Sequence, residues 1–253
     1  MSIPSYVEER LRRTPPSDHC IVPDSTPIIS FGDFTTATIA TVGINPSVRE
    51  FHDQKGRELH GKHRRLETTR SLGVDRLADA HPDVIAEAWK GCTRYFQRQP
   101  YSWFNPLDTI LRGIGASYFD GTACHLDLVQ WATRPTWGNI KEPHVSRAEA
   151  IRVALVAEDI EFLRKQLTSE KIRIVLLNGR SVMETFAGTY GLKYRRWHRA
   201  SPDGKGNPQF AEATGFGKVR AIGWSTNIQS SRGVTTAHKE MIADEVRRVV
   251  NGK

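Results

Sequence analysis

Runs of β-branched and apolar residues alternate along the chain with stretches whose apolar positions recur at helical spacing. Residues 27–31, 38–42, 122–130, 172–177 and 218–224 read as strands. Helices are predicted over 5–13, 74–98, 103–112 and 147–167, through a segment ending at Phe186, and over 236–250. Pro15 and Pro16 stop the first helix, and Pro100 separates the second from the third. Ser146 with Glu149 three residues on has the pattern of a capping box. Strand and helix in alternation predict an α/β fold with a parallel sheet covered on both faces by right-handed crossovers. The length fits one domain over 1–253, with 1–26 as a peripheral N-terminal extension.

The polar breaks in this pattern carry the candidate chemistry. The strand at 38–42 stops at Gly43 and Pro46, leaving Asn45 of GINPS on a turn past a strand's carboxyl end, where open α/β sheets bind ligands. Turn chemistry alone also accounts for Gly, Asn and Pro there. Residues 48–70 are polar and basic, with Lys62, His63, Arg64 and Arg65 and a single aromatic, Phe51. They read as a long active-site loop or as a solvated one. Asp127 lies among apolar neighbours and needs a partner, and His125 shares its face, which admits a structural His–Asp pair. Most of the rings among Tyr95, Phe96, Tyr101, Trp103 and Phe104 are expected in the core. KYRRWHR at 193–199 interleaves cations and rings, as a surface hairpin or as a platform for single-stranded nucleic acid. The loops after Val42, Val129 and Trp224 are expected to share one rim.

Charge sharpens this picture. A net charge of +8 and a pI near 9.6 point to a polyanionic partner, with nucleic acid foremost. Cys20, Cys92 and Cys124 are too scattered for a disulfide framework or a cysteine metal site, which fits a reducing cytoplasm. No export signal or membrane span is expected. No nucleotide-binding glycine pattern occurs, and GIG at 113–115 follows a helix, not a strand.

GINPS resembles the first catalytic motif of the mismatch-specific uracil/thymine branch of the uracil-DNA glycosylase superfamily, which reads G-I-N-P-G. HLDLVQ is similar to the superfamily's middle strand, which carries the uracil-reading residue. That residue is usually Asn and is here Asp127. NIQSSR sits where the second motif, H-P-S or N-P-S with a wedge residue, ends the last strand. The likeness spans roughly 28–250 and is one of superfamily.

The resemblance implies a three-layer sandwich with a central, mainly parallel four-stranded sheet flanked by helices. It implies a monofunctional uracil-DNA glycosylase of base-excision repair, which flips uracil out of single- or double-stranded DNA and hydrolyses its N-glycosidic bond to leave an abasic site. The enzyme would be a cytoplasmic monomer, nucleoid-associated in a prokaryote, with no cofactor and no metal, since three scattered cysteines cannot hold the cluster of the iron–sulfur branch. Asn45 would hold the attacking water, and Asn227 or Gln229 would donate to the departing pyrimidine oxygen or merely cap their loop. Gly43, Ile44, Phe51, His125 and Asp127 would form the base pocket, with Leu59 the alternative to Phe51 by spacing. Asp127 would read the base protonated, or would accept N3–H while another donor serves O4. Ser47, Ser230 and Ser231 would contact phosphates, and Arg232 would fill the gap left by the flipped base or bind its flanking phosphate. Two other readings are a glycosylase for another deaminated base and a noncatalytic nucleic-acid-binding protein on this fold.

Overall fold

The structure is a computed structural model that describes residues 3–15, 20–140, 145–169, 171–200, 208–229 and 234–252. Its elements in chain order are α1 (Ser5–Leu11), β1 (Ile39–Gly43), α2 (Pro82–Thr93), α3 (Asn105–Gly113), β2 (Ala123–Asp127) and α4 (Val145–Ser169). Then come β3 (Ile174–Asn178), α5 (Arg180–Tyr190), β4 (Arg195–His198), β5 (Gln209–Phe216), β6 (Val219–Trp224) and α6 (Thr236–Val250). The fold class is α/β, and a three-layer sandwich is compatible with it.

The sheet has six strands in the order β2-β1-β3-β6-β5-β4, where four were expected. β1 and β3 pair in parallel from Ile39↔Ile174 to Val42↔Leu177, and β3 and β6 in parallel from Ile174↔Arg220 to Asn178↔Trp224. β5 and β4 extend the sheet antiparallel beyond β6. β5, QFAEATGF, mixes polar residues and glycine, and only its ladders with β4 and β6 identify it as a strand. The segment 27–31 is not a strand. Its apolar residues are buried, but Ile28 donates to the Gln130 carbonyl (2.8 Å) and the Ser30 hydroxyl to the Gly32 carbonyl (2.7 Å) instead of forming a ladder. The long helix expected over 74–98 shrinks to α2, whose first turn begins at Pro82, a residue suited to helix starts because no N–H is needed there.

The chain forms two compact units. Unit 1 comprises 1–32, 44–101 and 126–165, and unit 2 comprises 33–43, 102–125 and 166–253. In unit 1, α1 is not peripheral: Val7 and Leu11 are fully buried, and so is most of Arg10. Arg10 bonds Asp159 of α4 (2.7 Å) and the Gln130 side-chain carbonyl (3.2 Å), with its guanidinium 5.1 Å from the centre of the Trp131 ring. Gln130 completes the network by donating its backbone N–H to Asp159 (2.8 Å) and its amide to the Asp127 carbonyl (2.9 Å). Burial pushes the Asp159 carboxyl up and the Arg10 guanidinium down, so desolvation outweighs their attraction.

In unit 2, α6 starts on a capping box between Thr235 and His238 and buries Met241, Ile242, Val246 and Val249. Gly113, at the end of α3, allows close helix contact, because a Cβ there would stand 2.6 Å from that of Ala243. GIG at 113–115 thus opens with a packing glycine.

Candidate functional site

In unit 1, GINPS forms the turn after β1. The Ile44 carbonyl accepts from Val129 N–H (2.9 Å), which ties the turn to the segment following β2. Asn45 is half-buried, and its amide nitrogen donates to the Thr133 hydroxyl (2.9 Å), the Pro46 carbonyl (3.1 Å) and the Trp131 carbonyl (3.4 Å). Backbone carbonyls only accept, so these contacts fix which end of the amide is nitrogen. Its Oδ1 accepts no hydrogen bond among the described residues and remains available for one. Ser47 caps a single 3₁₀ turn by accepting Arg49 N–H (3.1 Å), which leaves its own O–H free to donate.

That turn, Val48–Glu50, buries a carboxylate that sequence reasoning passed over. Glu50 is 2 % exposed and accepts from the Tyr95 hydroxyl at 2.5 Å; the Tyr95 oxygen in turn accepts from Tyr101 N–H at 2.9 Å. Tyr95 is clamped edge-on against Phe31 and Phe96. Burial pushes the Glu50 carboxyl up to about 7, reinforced by the Asp127 carboxylate and opposed by the Tyr95 hydrogen bond and the Arg65 guanidinium. A buried acid poised near neutrality is a recurrent property of functional sites. In a basic loop with three Glu residues, each reads as solvated, and only Phe51 beside Glu50 hinted at burial.

The shift has a measurable consequence. The folded state holds the Glu50 proton more tightly than the unfolded chain, so its stabilisation is complete below pH 4.5 and is lost as pH rises to about 7. Relative to Glu50→Gln, the wild type should lose about 3 kcal/mol over that window. Urea unfolding of both proteins at several pH values checks this, and parallel stability curves would refute it.

Phe51 is 2 % exposed, so its ring belongs to the packing of unit 1 and offers no open face to a base. Leu59 is half-buried and donates its N–H to the Phe51 carbonyl (2.8 Å). With Arg57, His60, His63 and Arg65 it lines an open cavity of about 560 Å³ that also holds Asp53 and Glu58. Arg65 lies 5.0 Å from the centre of the Tyr101 ring and donates to the Gln99 carbonyl (3.2 Å). Asp127 is 4 % exposed.

In unit 2, Gly43 ends β1 half-buried, and His125 is 7 % exposed on β2. The His125 Nδ1 shares a hydrogen bond with the Thr41 hydroxyl (2.6 Å), which shares another with Tyr118 (2.5 Å), and Phe104 packs edge-on against the imidazole. His125 is therefore a link in a buried polar chain. Asn178 ends β3 with 4 % exposure and gathers the loop after β6. Its Oδ1 accepts from Trp224 Nε1 (2.9 Å) and Ile228 N–H (3.0 Å), and its amide nitrogen donates to Asn227 (3.0 Å) and Gln229 (2.9 Å). Gln229 gives one of its two amide hydrogens to the Trp103 carbonyl (2.7 Å) and keeps the other. The next residue, Gly179, has φ +97° and sits where a Cβ would meet that of Asn227 at 3.0 Å, so glycine is required by both conformation and space. Ser230, Ser231 and Arg232 lie outside the described residues.

Both aromatic rings of KYRRWHR are committed, Tyr194 by donating to the Met183 carbonyl (3.3 Å). Trp197 stacks on Phe210 and donates to Glu245 (2.8 Å), while Arg195, Arg196 and His198 are exposed on β4 at the end of the strand order. Of the five rings expected mostly in the core, Tyr95, Phe96 and Phe104 are buried, and Trp103 is 38 % exposed. Among the described residues no group of three or more His, Cys, Asp or Glu is placed to hold a metal ion, and no helix is long and apolar enough to cross a membrane. Comparison with protein-family models finds no match to this chain, and comparison with curated proteins finds none either.

Proposed function

We propose that the protein is a monofunctional uracil-DNA glycosylase. The observation that carries this reading is the orientation of Asn45, whose nitrogen is pinned by three acceptors while its carbonyl oxygen is left to accept from a water. Cleaving a base from deoxyribose leaves positive charge on the sugar and negative charge on the departing pyrimidine. An amide is no base, so the role of Asn45 is to place water against a sugar already largely parted from its base. Asn227 serves the departing oxygen, because its amide nitrogen has no acceptor among the described residues, whereas Gln229 already gives one hydrogen to the Trp103 carbonyl. Asp127 is the residue that reads the base in this proposal. Exposed cations on the unit 1 cavity and on β4 supply attraction for phosphates.

The test incubates the purified protein with oligonucleotides identical except for U, hypoxanthine or T, with alkali revealing abasic sites. Cleavage at U alone supports the proposal, cleavage at hypoxanthine transfers it to another deaminated base, and binding without cleavage overturns it in favour of a noncatalytic module. Affinity for DNA should fall as salt is raised, through counterion release. An affinity indifferent to salt would remove the electrostatic part of the reading.

A further inference from the structure

The loop after β6 is organised by groups whose hydrogen-bonding sense cannot be reversed. The Trp224 indole and the Ile228 backbone N–H can only donate, and both point at one atom of Asn178, which must therefore be its oxygen. The other atom is then the NH₂, whose two hydrogens go to Asn227 and Gln229. The Asn227 atom that accepts from Asn178 also accepts Gln229 backbone N–H (3.0 Å), another obligatory donor, so it is Oδ1. Gln229 closes the network, accepting from Asn178 and donating to the Trp103 carbonyl. Asn227 is left with its NH₂ outward, and no acceptor among the described residues takes it.

We infer that Asn178 is a positioning residue that fixes the hydrogen-bond polarity of Asn227, so that this half-buried loop offers a donor and never an acceptor to its ligand. The class of ligand atom is thereby set as an anionic or carbonyl oxygen. The inference rests on the glycosylase reading only in naming that oxygen as the one on the departing pyrimidine. Asn178 itself is buried and touches no substrate in this scheme.

Two variants invert the polarity in different ways. Asn178→Asp removes both donors and sets a carboxylate against two carbonyl oxygens, so Asn227 relieves the repulsion by turning its NH₂ inward, at the cost of the bond from Gln229 N–H. Asn227→Asp keeps an acceptor for Asn178 and Gln229 N–H and places an oxygen outward, with the network intact. The experiment combines hydrogen exchange of the ¹⁵N-labelled side-chain amides with single-turnover excision of uracil and of 5-fluorouracil, whose anion is more stable and depends less on a donor. In the wild type, exchange should be slow at Asn178 and fast at Asn227, and in Asn178→Asp it should become slow at Asn227. Each variant should lower uracil excision about 10²-fold, the usual loss for one such donor, and 5-fluorouracil excision by less. Slow exchange at Asn227 in the wild type, unchanged exchange there in Asn178→Asp, or equal losses on both bases would overturn the inference. Should Asn178→Asp not fold, the wild-type exchange pattern and Asn227→Asp decide it. A wild type that excises neither base would sink the glycosylase reading alone, since the exchange pattern still tests the polarity.

Discussion

Asn45→Ala should lower single-turnover excision of uracil by about 10²- to 10³-fold while leaving DNA affinity close to that of the wild type. The side chain reaches no exposed cation, and its proposed work is confined to the chemical step, so the loss should fall on the rate of bond cleavage and not on binding. Thr133→Val supplies the graded control. Thr133 is fully buried and accepts one of the three hydrogen bonds that aim the Asn45 oxygen, so its loss should loosen Asn45 without deleting it and give a smaller defect. Rapid-quench assays with saturating enzyme separate the two. An Asn45→Ala enzyme with a normal cleavage rate would return GINPS to turn chemistry.

The largest stability effect should come from Arg10→Ala, at about 3–5 kcal/mol, because it strands the Asp159 carboxylate in the core of unit 1. The pair itself is costly to desolvate, and Arg10 Nη1 has no hydrogen-bond partner among the described residues. Replacing both members, as Arg10→Met with Asp159→Leu, should therefore recover most of the loss. The damage should also reach Gln130, which both residues hold and which lies between Asp127 and Thr133 in sequence. Denaturant unfolding of the singles and the double gives the coupling directly. A double variant as unstable as Arg10→Ala would show that the ion pair has a net worth beyond mutual satisfaction.

Where local pattern and burial agreed, the fold was legible. The periodicity over 236–250 marked α6 to the residue, and the apolar runs marked β1, β3 and β6 within two residues. Residues 27–31 misled because a buried extended segment and a buried strand share one apolar pattern, and only the partners of Ile28 and Ser30 tell them apart. The six-stranded count depended on β4 and β5, whose polar sequences are specified by a hairpin ladder and not by hydrophobicity. Asn45 was visible because Gly and Pro frame it. Asn178 had the same grammar, an Asn-Gly ending an apolar run, but its role lies in four bonds to residues 46 to 51 positions away, which no local window contains. Glu50 was hidden for the matching reason, since Tyr95 is 45 residues distant.

The interleaving of the two units bears on how the chain can be made. Unit 1 needs α1, the GINPS turn and α4, so its parts are not all synthesised until residue 165 has left the ribosome. Unit 2 needs β1 and also α6, the last of the described helices. Neither unit is a contiguous segment that can finish folding while the other is still being translated, unlike domains strung in series. Many of the decisive contacts join residues far apart in sequence, the condition under which folding is slow and partly built sheet edges stay exposed. The newly made chain should therefore depend on chaperones until α6 has emerged and commit to its structure only then.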